Sequence, residues 1–112
     1  MGIQNWSDNI ILVNLGEEPQ MGEELQIAID MVAENGGSDV VIDFAEVNIV
    51  TSSSIAKLLK LREALYDCGR RLVFSSVKPQ TKRIFSTTEL DSVFDFVDDQ
   101  FVALAGLQLT NG

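Results

Sequence analysis

Three short apolar runs, Ile10–Leu15, Val40–Phe44 and Leu72–Phe74, are separated by two longer stretches whose apolar residues recur at helical spacing. In the first stretch Leu25, Ala28, Ile29 and Val32 fall at i, i+3, i+4 and i+7, which is one face of a helix. Asn35-Gly36-Gly37 ends it, because Asn and Gly tolerate the left-handed backbone of a helix end. In the second stretch, from Ile55, the spacing puts Leu58, Leu59, Leu61, Leu65 and Tyr66 on one apolar arc. Lys57, Lys60, Glu63 and Asp67 then point the other way. Arg62 falls inside the arc, where a long side chain snorkels past the core edge, and Gly69 is the stop. Strands that alternate with helices imply parallel neighbours joined by right-handed crossovers.

The flanks complete the pattern. Ile3–Trp6 and the turn residues Ser7-Asp8-Asn9 predict a hairpin in front of the first run. Gly16–Gly22 reads as loop. Pro79 fits the first turn of a short helix reaching about Phe85, where its missing N–H is not needed. Val93–Val97 reads as a short strand and Phe101–Leu107 as a closing helix. The expectation is one α/β domain over residues 1–112, with a mixed β-sheet of four or five strands and helices mainly on one face. A chain of 112 residues is the size of one such unit.

Charge and composition exclude several functions. The net charge is −9, which disfavours nucleic acid and anionic membrane surfaces, both of which select for clustered Lys and Arg. It suits a partner with a basic surface, or solubility alone. The absence of histidine removes the usual Ser-His-Asp and Cys-His arrangements and most zinc sites. No phosphate-binding loop or dinucleotide fingerprint is present. No catalysis, cofactor or metal is therefore expected.

The lone Cys68 cannot form an internal disulfide. It sits at the end of a predicted helix, the wrong end for a reactive thiolate, and reads as structural. Asp91, Asp95, Asp98 and Asp99 lack the spacing of a calcium loop. They read as solvated surface, with Asp98 and Asp99 placed favourably at a helix start. Met1–Trp6 has neither the basic region nor the apolar run of a signal peptide, and no segment approaches the roughly 20 apolar residues of a membrane helix. The cytoplasm is the expected location, and a monomer the default when free.

The segment Val47-Asn48-Ile49-Val50-Thr51-Ser52-Ser53-Ser54-Ile55 holds four consecutive hydroxyl residues between a buried strand and an amphipathic helix. Ser and Thr accept hydrogen bonds from the free N–H groups of a first helical turn, each cap contributing about 1 kcal/mol. One residue suffices for that. The rest suit a phosphorylation site, since a phosphate at a helix N-terminus meets free N–H groups and the positive end of the helix dipole. Local chemistry leaves both readings open.

Asp43-Phe44-Ala45-Glu46-Val47 followed by Val50-Thr51-Ser52-Ser53-Ser54-Ile55-Ala56 resembles the central motif of STAS domains, and most of all the bacterial anti-anti-sigma factors. Their motif is a hydrophobic strand ending in Asp, a short apolar loop, then Asp-Ser-Ser-Gly-Leu or Asp-Ser-Thr-Gly-Leu. Arg71–Phe74, Val77–Phe85 and Glu89–Phe94 resemble the family's fourth strand, third helix and approach to the last strand. The resemblance spans about Ile10–Leu107. It implies an anti-sigma factor antagonist that controls transcription indirectly. Such a protein binds an anti-sigma factor, often also a serine kinase, until that kinase phosphorylates it, and a phosphatase reverses the change. The motif serine falls on Ser52, with Thr51 and Ser53 as further acceptors. Thr51 stands where the family has Asp, and Ser54 where it has Gly. The implied contact surface is Thr51, Ser52, Ser53, Ser54, Lys57 and Lys60. The alternative is a STAS scaffold without a phosphate cycle in a signalling or transport complex. Small-molecule binding in a groove is a third class, which no aromatic or charged cluster supports.

Overall fold

The computed structural model describes residues 2–111. The elements follow in the order β1 (Gly2–Ser7), β2 (Ile10–Asn14), α1 (Gln20–Asn35), β3 (Asp39–Asp43), α2 (Ser52–Asp67), β4 (Leu72–Ser75), α3 (Pro79–Thr87), β5 (Asp95–Val97) and α4 (Gln100–Asn111). The sheet runs β1-β2-β3-β4-β5. The β1/β2 pair is antiparallel, with a register shift between Asn5 and Ser7. The other three pairs are parallel. The strand–helix alternation of the sequence thus becomes a mixed five-stranded sheet, because a parallel neighbour can be reached only by a crossover.

Side chains alternate across the sheet. Ile11, Val13, Val40, Ile42, Leu72 and Phe74 face the main core, where they meet Met21, Leu25 and Ala28 of α1, Leu58, Leu61 and Leu65 of α2 and Phe85 of α3. Ile10, Leu12, Val41 and Val73 face the other way and are covered by Ala103, Leu104 and Leu107 of α4. Three helices therefore lie on one face and one on the other. Phe74 centres an aromatic cluster, with ring centroids 4.9 Å from Phe44, 5.8 Å from Phe85 and 4.6 Å from Phe94.

The helix ends follow from local chemistry. Gly36 closes α1 at φ 68° and donates its N–H to the Val32 carbonyl at 2.8 Å, a backbone conformation that glycine adopts without steric cost. Asp99 Oδ1 accepts from the Val102 N–H at 2.9 Å, so one of the two aspartates read as favourable at a helix start caps α4. The Gln100 side chain ties that end of α4 to Asn14 at 2.9 Å.

Several expectations are corrected. Gln20, Met21 and Gly22 are helical, not loop. Met21 is fully buried and extends the apolar face of α1 by a turn, and the Glu18 carboxylate accepts the Gly22 N–H at 3.0 Å. On α2 the buried stripe is narrower, comprising Ser54, Leu58, Leu61 and Leu65. Tyr66 is 74% exposed and Leu59 lies on the surface, because α1 and the sheet contact only one stripe of the helix. Arg62 does reach out at the core edge, donating Nε to the Val93 carbonyl at 3.0 Å with its guanidinium 5.8 Å from the Tyr66 ring centre. Val93 and Phe94 precede β5 rather than begin it. Cys68 is exposed at the C-cap of α2, not buried as a structural cysteine would be.

Candidate functional site

The carboxyl ends of β2, β3 and β4 lie at one edge of the sheet, and the loops that leave them carry the hydroxyl cluster. Open α/β sheets present their loops for recognition at this edge. Asp43, the last residue of β3, is buried. Its Oδ1 accepts the Ala45 N–H at 2.9 Å, and its Oδ2 accepts the hydroxyls of Ser75 and Ser76 at 3.0 and 3.2 Å. A buried carboxylate is tolerated when its lone pairs are occupied in this way. Asp43 thereby fixes the exits of β3 and β4 relative to each other.

Beyond Asp43 the chain turns at Val47 and Val50, both buried, and exposes Asn48 and Ile49 between them. Ile49 is 64% exposed, an apolar tip on the loop. Glu17, from the β2–α1 loop, braces this tip. Its Oε1 accepts the N–H groups of Asn48 and Ile49 at 3.0 and 3.3 Å. These backbone hydrogen bonds hold the Glu17 carboxyl below its ordinary value of 4.5. From the other side Lys78 Nζ donates to Asn48 Oδ1 at 2.7 Å, and the Thr81 hydroxyl donates to the Asn48 carbonyl at 3.3 Å. Asn48 thus joins the loops after β2, β3 and β4.

The four hydroxyl residues divide into two pairs. Thr51 is the N-cap of α2 and Ser54 its third residue, and together they form a capping box. The Ser54 N–H donates to Thr51 Oγ1 at 3.2 Å, and the Thr51 N–H donates to Ser54 Oγ at 2.8 Å. The Ser54 hydroxyl also donates to the Thr51 carbonyl at 2.9 Å. Ser54 is 1% exposed, which removes it from the contact surface expected of it: its side chain is spent inside the helix start. Ser52 and Ser53 are exposed and their hydroxyls bond to no other described residue. Lys57 is not free either, since Nζ donates to the Gly22 carbonyl at 3.1 Å and bridges α2 to α1. Lys60 is exposed on the same helix.

Sequence reasoning passed over Glu17, Lys78 and Thr81 as members of this site. Glu17 lies 31 residues from Asn48, and no local pattern marks such a contact. Among the described residues no group of three or more Cys, Asp or Glu side chains is placed to hold a metal ion, and no helix is long and apolar enough to cross a membrane.

A five-stranded mixed sheet with four helices is the fold of a STAS domain. The family model described as "Mlab, STAS domain" matches residues 13–104, and the chain belongs to this family. Its fold is shared with an anti-sigma-factor antagonist STAS protein from Planctomyces limnophilus at 16% identity, with a TM-score of 0.78 over 95% of this chain and 96% of that one. A serine-to-glutamate variant of RsbS from Moorella thermoacetica superposes with a TM-score of 0.77 at 18% identity over 100% of both chains. The phosphorylated form of Bacillus SpoIIAA, a cell fate determinant, gives 0.72 at 14% identity over 94% of this chain and 96% of that one. No curated protein sequence matches significantly.

Proposed function

We propose that this STAS domain is an anti-sigma factor antagonist. In this reading it binds an anti-sigma factor that is also a serine kinase, through the start of α2 and the loop before it. Phosphorylation of Ser52 ends the binding, a phosphatase restores it, and transcription is controlled indirectly.

One observation carries the reading. The helix start uses Thr51 and Ser54 for its own cap and leaves Ser52 exposed on the first turn, its hydroxyl bonded to no other described residue. A phosphate there adds about −1.5 to −2 charges at the positive end of a helix dipole, so it leaves the domain folded. Its effect falls on the partner, which meets bulk and negative charge at the contact. Thr51 is a poorer acceptor, because modifying its hydroxyl would break the cap. Ser53 is exposed too, and matching to the family motif is what selects Ser52 over it. Ile49 offers an exposed apolar side chain on the loop before α2, and Lys60 an exposed cation on α2 itself.

The test is incubation with the anti-sigma factor kinases of the source organism and ATP. Phosphate should enter the wild-type chain and not Ser52→Ala, while both bind the kinase without ATP. No incorporation with any of them would refute the phosphate cycle.

A second reading is a scaffold that holds partners without a phosphate cycle, in a signalling or transport complex. Thr51 in place of the motif Asp favours it, since the charge beside the acceptor is missing. A stable complex that survives with Ser52→Asp would select this reading.

A further inference from the structure

Alone among the four helices, α4 carries no charged residue along Gln100–Asn111. Ala103, Leu104 and Leu107 turn inward onto the sheet. The opposite face is apolar as well: Phe101 is 79% exposed, Val102 47% and Leu109 83%. Ala105 and Gly106 lie between them, and a Cβ added at Gly106 would meet nothing within 4 Å. Trp6 of β1 extends this surface, and between it and α4 runs a groove of about 400 Å³ lined by Trp6, Phe101, Ala105 and Gln108. A helix that is apolar on both faces is one that is covered on both.

We propose that a second copy of this chain covers α4, forming a two-fold dimer through antiparallel packing of the two α4 helices. Charge is the first argument. Two chains of net charge −9 repel each other, and they can approach closely only where the contact itself is uncharged. The outer face of α4 meets that condition, and it offers no charge by which a basic partner would be recognised.

Symmetry is the second argument. Phe101 and Leu109 stand four residues to either side of Ala105, about 6 Å each way along the helix. A two-fold axis beside Ala105 sets Phe101 against Leu109 of the second copy, and the reverse, which is the self-complementarity an isologous contact requires. The small Ala105 and Gly106 lie at the crossing, where the backbones come closest. The antiparallel arrangement also keeps the two Asp98-Asp99 pairs at opposite ends of the contact. The helix is 12 residues long, about 18 Å. The contact is therefore at the small end of specific interfaces, and the dimer exchanges with monomer on dilution.

Sedimentation of the full chain tests this at about 100 µM and about 1 µM, the range over which a micromolar contact dissociates. The expected mass is near twice the 12.3 kDa of one chain at the higher concentration and near one chain at the lower. Phe101→Lys and Leu109→Lys, both at exposed positions, should keep the circular dichroism of the wild type and sediment as monomers throughout. In a Cys68→Ser background, Ala105→Cys should cross-link to its own copy on oxidation. A monomer at about 100 µM would overturn the proposal and leave this face to a different protein or a lipid surface. A Leu109→Lys chain that dimerises like the wild type, or a dimer in which Ala105→Cys fails to cross-link, would overturn it equally.

Discussion

Thr51 and Ser54 cap each other across the first turn of α2, the N–H of each donating to the side-chain oxygen of the other at 2.8 and 3.2 Å. A cap that uses the first and last of four adjacent hydroxyl residues leaves the two between them without a structural task. Cap and switch are therefore separable by mutation. Thr51→Ala and Ser54→Ala should each destabilise the domain by about 1 kcal/mol, read as a lower urea midpoint. Ser52→Ala should shift it by less than about 0.5 kcal/mol, as expected of an exposed site. Thr51→Asp keeps an N-cap acceptor and adds a favourable negative charge at the helix start, so it should be neutral or stabilising.

Ser52→Asp should fold as well as the wild type, because its charge meets the positive end of the helix dipole. Its binding to an anti-sigma factor kinase should fall by tenfold or more, which corresponds to about 1.4 kcal/mol. Calorimetric titration of both chains against the same kinase reads the difference. Equal affinity would remove charge at this position as the switch.

The Glu17 carboxylate accepts two backbone N–H groups of the loop that precedes α2, and its pKa is lowered from 4.5. A lowered folded-state value means that the charged form favours the folded loop. That contribution is present above the unfolded value and is lost as pH falls through the lower folded value. The amide resonances of Asn48 and Ile49 should hold steady from neutral pH down to about 4.5 and move below it, while those of β3 stay fixed. Glu17→Gln should abolish the transition.

Phe74 lies at the centre of the ring cluster and is fully buried. Phe74→Ala should cost about 3–5 kcal/mol, enough to leave a small domain marginal. Phe101→Ala, on the exposed face of α4, should change monomer stability by less than about 0.5 kcal/mol. Urea denaturation at low protein concentration compares the two.

The order of elements was legible because each apolar run is short enough for a strand and each periodic stretch long enough for a helix. Boundaries were less so where a residue serves two rules at once. Gly22 reads as part of a loop, yet the burial of Met21 carries α1 back to Gln20, directly after Pro19. On α2 periodicity counts Leu59 and Tyr66 alike with Leu58 and Leu65, while the sheet and α1 cover one stripe. In the site, composition marked the hydroxyl cluster but could not divide it. Helical spacing divides it: Ser54 falls on the stripe of Leu58, Leu61 and Leu65 and turns inward, while Ser52 falls off that stripe. The brace from Glu17, and the links from Lys78 and Thr81 to Asn48, arise only when the ends of three strands are brought together.

In the proposed cycle Ser52 carries the phosphate, and it is free to do so because Thr51 and Ser54 build the cap. This is tested most directly by the intact mass of the protein isolated from its own cells, with peptide mapping of residues 51–54. The expected result is a population carrying one phosphate, located on Ser52. A chain that stays unmodified in every growth condition, or a phosphate found on Thr51 in place of Ser52, would contradict it.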